Sequence, residues 1–192
     1  YDIALQLHIE RYTEFNEHPF TGDIYFSKAE LYRQRKDYDN AFIFYKKCHN
    51  NRLHTLRSGH PLIAAVLYGM AENYRQSGNM KDAKIYYDQS LLMRIQNYES
   101  FSSQSSLQSS TNNTNNTNTN NNNKIEERYE LFSSTINSHL SIAESQYGLS
   151  LWYYDKGLYN EAIRLCKESL QIRQERLGTT HYLTLLNKEL LA

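Results

Sequence analysis

The chain is poor in the residues that mark disulfide-rich, fibrous or loop-rich proteins. Its 192 residues include 2 cysteines, 2 prolines and 7 glycines. The cysteines, Cys48 and Cys166, are far apart and lack a metal-type spacing, so we interpret them as small buried residues in a reducing compartment. Because helix breakers are few and good helix formers are abundant, the composition favours an all-helical protein.

Charge of one sign and long apolar runs are also missing. Lys plus Arg and Asp plus Glu both number 21, so the formal net charge is zero. A general phosphate-binding surface needs a basic excess, and no apolar run approaches the roughly 20 residues of a membrane span. No signal-peptide pattern opens the chain. We therefore expect a cytoplasmic protein with no nucleic-acid partner and no membrane partner.

Motifs for catalysis and cofactor binding are absent as well. The sequence has no phosphate-binding loop, no nucleophile elbow and no HExxH pattern. Serine, histidine and aspartate are present, but no local pattern arranges them as a catalytic triad. We expect a segment that is not an enzyme and that uses no cofactor and no metal.

What the sequence does contain is an internal repeat with a period of 42 residues. The recurring marks are His18-Pro19 with His60-Pro61, and His139 with His181. His60 and His139 are 79 residues apart, which is one period plus an excess of 37. That excess coincides with the Ser/Asn/Thr-rich tract. The blocks after these marks stay in phase at Ala29–Tyr45, Ala71–Tyr87 and Ser150–Cys166.

Each block is typical of a helical hairpin. Two small residues 12 positions apart let the paired helices approach closely: Ala29/Ala41, Ala71/Ala83 and Ser150/Ala162. Apolar residues recur at helical spacing, and Gly78 and Gly157 suit a C-cap that takes positive φ. Proline after the repeating histidine suits the first position of a helix. Stacked repeats lie roughly 10 Å apart, so the histidines are expected to mark helix starts and not to share a metal.

These marks resemble tetratricopeptide (TPR) repeats. The second block matches six positions of the TPR pattern, namely Leu67, Met70, Ala71, Tyr74, Ala83 and Tyr87. The segments RLHTLRSGHPLIAA, GLYNEAIRLCKESL and SLQIRQERLGTTHYLT are similar to the repeats of kinesin light chain and its relatives. The resemblance implies an all-α fold, a right-handed α-solenoid of stacked antiparallel helix hairpins.

On this register we predict a single array cut from a longer protein. It comprises the second helix of a preceding repeat (1–17), three repeats (18–59, 60–97 and 137–180) and the first helix of a following repeat (181–192). A disordered Ser/Asn/Thr-rich insertion is predicted at 98–136. The register resumes in phase after it, and each doubling of a surface loop costs only about 0.6 kcal/mol. The insertion therefore interrupts the array without dividing it.

We expect function on the concave face, which in the TPR family is lined by the first helix of each hairpin. The resemblance implies groove positions at Phe26, Glu30, Arg33, Tyr68, Glu72, Arg75, Tyr147, Leu151 and Tyr154, preceded by Asp23, Ala65 and Glu144. Aromatic anchors beside charges suit a peptide groove. Alternatively, the aromatic stripe packs against the neighbouring repeat. Arg33 and Arg75 pair either an acidic peptide group or nearby glutamates.

Two functions fit these features. The first is a protein-interaction scaffold that binds a peptide or partner helix; the kinesin-light-chain resemblance implies short cargo peptides in an extended form. The second is a regulatory or sensor arm of a larger enzyme, such as a nucleotide-driven switch or a ubiquitin-ligase receptor, with mainly intramolecular contacts. The family's groove asparagines, in an L-N-N-L-A context, are replaced here by VLYGMA and ESQYGLS. The family's ligand is therefore not carried over.

Overall fold

A computed structural model describes residues 18–111 and 139–192 of the chain, and all regular structure in these two ranges is helical. The helices before the gap are α1 (Pro19–Gln34), α2 (Tyr38–Thr55), α3 (Pro61–Gln76) and α4 (Met80–Thr111). Those after it are α5 (residues 139–155), α6 (Tyr159–Leu177) and α7 (Tyr182–Leu191). None of the described helices is long and apolar enough to cross a membrane.

The chain forms two compact units, and the boundary between them lies within α4. The first unit ends at Met93 and the second begins at Arg94. Helix α4 continues past Tyr98, where the insertion was predicted to start, and ends at Thr111. Residues 112–136 of the predicted insertion and residues 1–17 lie outside the described residues, so the insertion's disorder and the preceding repeat stay predictions.

The small residues that were predicted to bring paired helices together are buried. Ala29 of α1 and Ala41 of α2 are 0% exposed, and so are Ala71 of α3 and Ala83 of α4. In the second unit, Ser150 of α5 and Ala162 of α6 are likewise buried. Because these side chains are so short, the two helices of each hairpin can approach closely, and larger residues pack around the contact.

The turn inside each hairpin needs one residue with positive φ. Gly78 has φ 85° and Gly157 has φ 73°, so the predicted glycine C-caps are confirmed. The first hairpin places Lys36 at this position, with φ 62°. The left-handed region favours glycine because it lacks a Cβ, so the first hairpin has the least favourable turn of the three.

The second helix of each hairpin begins directly after this turn. Asp37 and Asn79 act as N-caps, since their side chains accept the backbone N–H of Asn40 and Asp82, each at 3.3 Å. Leu158, at the same position before α6, makes no side-chain cap bond. A Ser, Thr, Asp or Asn cap typically contributes about 1 kcal/mol, so α6 starts without a contribution that α2 and α4 have.

Three of the repeating histidines cap the first helices of their hairpins. Nδ1 of His18 accepts the N–H of Phe20 at 3.1 Å. His60 and His181 accept the N–H groups of Leu62 and Leu183 in the same way. The helix starts predicted at these histidines are therefore confirmed. The bond also explains the residue type, since a neutral imidazole carries an acceptor nitrogen.

Candidate functional site

A polar cluster of three side chains joins the two helices of the first hairpin. Arg33 Nη2 lies 2.5 Å from Glu30 Oε2, and the Tyr45 hydroxyl donates to Glu30 Oε1. Arg33 Nε also donates to the Tyr45 hydroxyl oxygen at 3.3 Å. Glu30 and Arg33 belong to α1, and Tyr45, which is 0% exposed, belongs to α2. The carboxylate on the first helix is thus held from the second helix.

The second hairpin repeats this cluster 42 residues later. Arg75 Nη2 lies 3.2 Å from Glu72 Oε2, and the hydroxyl of the fully buried Tyr87 donates to Glu72 Oε1. Gln76 Nε2 adds a bond to Glu72 Oε2 at 3.2 Å. Of the two alternatives for Arg33 and Arg75, the structure shows the pairing with nearby glutamates.

Burial and the neighbouring carboxylates keep both phenols protonated. Burial, followed by the charge of Glu30, raises the pKa of Tyr45 far above its usual value. Burial and the charge of Glu72 act in the same way on the pKa of Tyr87. Burial alone would lower the pKa of Arg33, but its bond to Glu30 and the Glu30 charge raise it above the usual value. Each cluster therefore keeps a protonated phenol as a hydrogen-bond donor to its glutamate.

The third hairpin has no such cluster, because its equivalent positions hold Leu151, Tyr154 and Cys166. Tyr154 is 52% exposed and lies against Tyr159, with ring centroids 5.7 Å apart. Cys166 is buried, burial raises the pKa of its thiol, and its Sγ lies 3.4 Å from the Asn187 carbonyl oxygen. This part of the second unit is apolar where the first unit is charged.

A cavity of about 200 Å³ opens beside this apolar group, lined by Tyr154, Tyr159, Ala162, Ile163, Cys166, Leu190, Leu191 and Ala192. In the first unit the equivalent space holds the last turn of α3. There Asn73 Nδ2 donates to the Tyr38 carbonyl oxygen at 3.0 Å, and Tyr74 packs on Phe42 with ring centroids 4.9 Å apart. We assign no ligand to the cavity, since protein residues occupy its counterpart.

The predicted aromatic stripe lies against the second helix of its own hairpin. Phe26 meets Tyr45 edge to face with ring centroids 5.9 Å apart, and Tyr68 meets Tyr87 at 5.8 Å. Tyr147 lies under the guanidinium of Arg173, at 4.8 Å from the ring centroid. All three stripe residues, Phe26, Tyr68 and Tyr147, are half-buried. Part of each ring therefore packs, and part remains accessible.

The other predicted groove positions have structural partners. Asp23 pairs with Arg52 at 2.8 Å, and Glu144 pairs with Arg94 at 2.8 Å. Ala65 is half-buried on α3. Within the described residues, no group of three or more His, Cys, Asp or Glu side chains is arranged to hold a metal ion.

Sequence reasoning missed a set of buried arginines on the second helices, namely Arg52, Arg94 and Arg173, each 3–4% exposed. Each donates to a carbonyl in the first turn of the next first helix: the acceptors are Leu62, Ser141 and Leu183. A buried guanidinium without partners would be costly, so these bonds are needed. The signal was available, because the arginines recur at the same offsets of 42 and 79 as the other repeat marks.

Two family models, both described as tetratricopeptide repeat, match residues 20–96 and 142–182. The chain belongs to the tetratricopeptide-repeat family. The predicted fold class, an all-α array of helix hairpins, is thereby confirmed. TPR repeats generally mediate contacts between proteins, so protein binding is the activity that membership of this family supports.

Two solved structures are similar to this TPR chain. One is the crystal structure of nearly identical TPR-like repeats from a protein assigned as a kinesin light chain of Podosopora anserina. It is 21% identical, with a TM-score of 0.41, and the match covers 91% of this chain and 85% of that chain. The other is a single-substitution variant of it, with the same values. Among curated proteins, no relative matches.

Proposed function

We propose that this TPR chain is a non-catalytic scaffold that binds a peptide or a partner helix on its first-helix face. We define the first-helix face as Phe26, Glu30 and Arg33 of α1, Tyr68, Glu72 and Arg75 of α3, and Tyr147, Leu151 and Tyr154 of α5. A reducing compartment such as the cytoplasm suits the two free, buried cysteines. The proposal is supported most by the repeated Glu–Arg–Tyr clusters beside accessible aromatic rings.

The clusters prepare charged side chains for binding at little entropic cost. The Arg33 and Arg75 side chains are 20% and 19% exposed, and their glutamate partners Glu30 and Glu72 are 26% and 11% exposed. Their outer edges therefore reach solvent while their rotamers are held by the buried phenols. Groups that are already ordered lose less conformational freedom when a ligand binds.

The first unit presents these groups on neighbouring helices. Helices α1 and α3 contact each other, so Phe26 and Tyr68 lie on adjacent elements, each with a Glu–Arg pair one turn further along. Half-buried aromatic rings flanked by hydrogen-bonding groups are a common composition of binding hot spots. We expect a ligand with apolar side chains for the rings and a hydrogen-bonding backbone for the charged edges.

The first-helix face of the second unit favours an apolar contact. Tyr147 and Leu151 are half-buried, and Tyr154 is 52% exposed. These side chains, two tyrosines and a leucine, carry no formal charge, and the position equivalent to Glu30 and Glu72 is a leucine. We expect this part of the face to contribute buried area, whereas the first unit contributes polar specificity.

Alanine substitution of accessible aromatic rings on the first-helix face tests the proposal. We expect the triple variant Phe26→Ala, Tyr68→Ala and Tyr154→Ala to lose partner capture by at least tenfold in quantitative pull-down, because aromatic anchors typically contribute 1–2 kcal/mol or more each. The matched control is Ile43→Ala, Leu53→Ala and Leu92→Ala, which removes exposed apolar residues of the second helices.

Equal capture by both triple variants would contradict the proposal. Melting curves must accompany the comparison, since Phe26 and Tyr68 also contact the buried tyrosines. The regulatory-arm alternative predicts a different result: no separate protein is captured, and cross-links form mainly between this array and other segments of the same polypeptide.

A further inference from the structure

The start of α3 is held from both sides at a single residue, Leu62. The His60 Nδ1 accepts the N–H of Leu62 at 3.2 Å. The buried Arg52 of α2 donates from Nη1 to the carbonyl oxygen of Leu62 at 2.8 Å. A histidine cap and an arginine bond thus meet where one hairpin joins the next, and we call this contact the α2–α3 seam.

The second unit has the same arrangement at the start of α7. His181 Nδ1 accepts the N–H of Leu183 at 3.3 Å, and Arg173 Nη1 donates to the carbonyl oxygen of Leu183 at 3.0 Å. Arg173 also donates to Asn187 Oδ1 at 2.6 Å. We call this contact the α6–α7 seam. The same pair of bonds in both units points to a shared property and not to a local accident.

Each histidine can accept this backbone N–H only while its imidazole is neutral. A nitrogen that accepts an N–H has no room for a proton of its own, because a protonated imidazole is a donor at both nitrogens. A cation at this position would also face the positive end of the helix dipole. The positive charge of the neighbouring guanidinium is a third effect that opposes protonation of the imidazole. At His60, all three effects favour the neutral imidazole.

The charged groups around His60 are cationic. Arg52 faces it from α2 and Arg57 from the α2–α3 connection, and burial, Arg57 and Arg52 together lower the pKa of His60. The carboxylate of Asp23, on α1, is paired with Arg52 at 2.8 Å. The first turn of α3 contains no acidic residue.

His181 has similar surroundings. Arg173 faces the seam from α6, and Arg176 is in the last turn of that helix. Lys188 of α7 donates to the Thr179 carbonyl oxygen at 3.2 Å, and the first turn of α7 has no acidic residue. The ring of Tyr182 lies beside the imidazole, with centroids 4.8 Å apart.

We infer that this TPR array is pH-responsive, and that its α2–α3 seam is tight while His60 is neutral and loosens when His60 is protonated. A free histidine titrates near pH 6.5. Because the closed seam favours the neutral form, its stabilisation is present above that pH and is lost as the pH falls. Between pH 7.5 and 5.5, opening of the α2–α3 seam becomes more favourable, by at most about tenfold. This pH response would regulate the array, and it does not depend on the proposed binding function.

Amide hydrogen exchange measures this opening directly. The reporter is the backbone N–H group of Ile63, which bonds to the carbonyl oxygen of His60 at 2.9 Å. In the unaltered chain we expect the protection factor of this amide to fall severalfold between pH 7.5 and 5.5, and by at most about tenfold, after correction for intrinsic exchange. In the variant His60→Asn, which keeps an N-cap that does not titrate, we expect no fall.

The control is His54→Asn, which removes an exposed histidine of α2 that makes neither of the two bonds to Leu62. It should behave as the unaltered chain does. Burial lowers the pKa of His49, so global stability falls in acid as His49 is protonated on unfolding. This effect is the same in all the chains compared. If the Asn variant does not fold, serine replaces asparagine as the cap. Unchanged protection in the unaltered chain, or an equal fall in the His60→Asn variant, would overturn the inference.

Discussion

Buried phenols decide how charges are arranged on the first-helix face. Tyr45 and Tyr87 are both 0% exposed, and the hydroxyl of each donates a hydrogen bond to a glutamate of the opposite helix. That bond leaves the glutamate's other oxygen to an arginine of its own helix. A single tyrosine on the second helix therefore orients two charged side chains on the first, and the same three residue types repeat after one period.

Gly69 is the residue that makes room for Tyr45. A Cβ at Gly69 would lie 2.6 Å from Tyr45 Cε1 and 3.0 Å from Cζ, and the ring is fully buried. We predict that Gly69→Ala lowers the free energy of unfolding by about 1–2 kcal/mol, because overpacking costs 1–3 kcal/mol and the better helix propensity of alanine returns at most about 1 kcal/mol. Urea denaturation at neutral pH measures the change.

The control is Ser27→Ala, at the same position of the preceding first helix, where the side chain is half-buried. That change should leave the free energy of unfolding within about 0.5 kcal/mol of the unaltered chain. A stable Gly69→Ala variant would show that Tyr45 can shift, and the close helix approach would no longer explain the glycine.

At the scale of helices, the hairpins differ in how well their ends are formed. The turn residues are Lys36, Gly78 and Gly157, all with positive φ, and the caps of the second helices are Asp37, Asn79 and Leu158. Two hairpins therefore have one unfavourable end each: the first at its turn and the third at the start of α6. The second hairpin has favourable residues at both places.

We predict that Lys36→Gly stabilises the chain. A non-glycine residue in the left-handed region costs about 1–2 kcal/mol, and the larger conformational freedom of unfolded glycine offsets about 0.5–1 kcal/mol. The expected net gain is about 0.5–1 kcal/mol in the free energy of unfolding, measured by urea denaturation. Arg35→Gly, where φ is −80°, should be destabilising. If both changes destabilise, strain at Lys36 is not significant.

Local features and the close approach of paired helices were predictable from the sequence, and polar contacts between helices were not. Helix starts at His60 and turns at Gly78 depend on residues close in the chain, so periodicity and capping rules found them. The link between Glu30 and Tyr45 joins two helices, and no rule of spacing says that a tyrosine will bind a glutamate 15 positions earlier. The buried Arg52 is harder still, since arginine is usually exposed and its acceptor belongs to the next hairpin.

At the scale of the whole molecule, repetition with variation is the main feature. The buried arginine is present on the three second helices that the structure describes, α2, α4 and α6. The Glu–Arg–Tyr cluster is present in the first two described hairpins and is replaced by Leu151, Tyr154 and Cys166 in the third. The contacts that join hairpins are thus uniform, and the groups available for binding change along the chain. That pattern suits a scaffold that keeps its architecture while it recognises a ligand of mixed chemistry.

Site-specific photo-cross-linking tests the central claim, that partners bind on the first-helix face. A photoreactive phenylalanine analogue replaces Phe26 or Tyr68 on the first helices, and Ile43 or Leu92, both exposed, on the second helices. We predict cross-links to a partner protein from positions 26 and 68 and at least tenfold fewer from positions 43 and 92. Cross-links that come mainly from the second helices, or no partner at any of the four positions, would contradict the account.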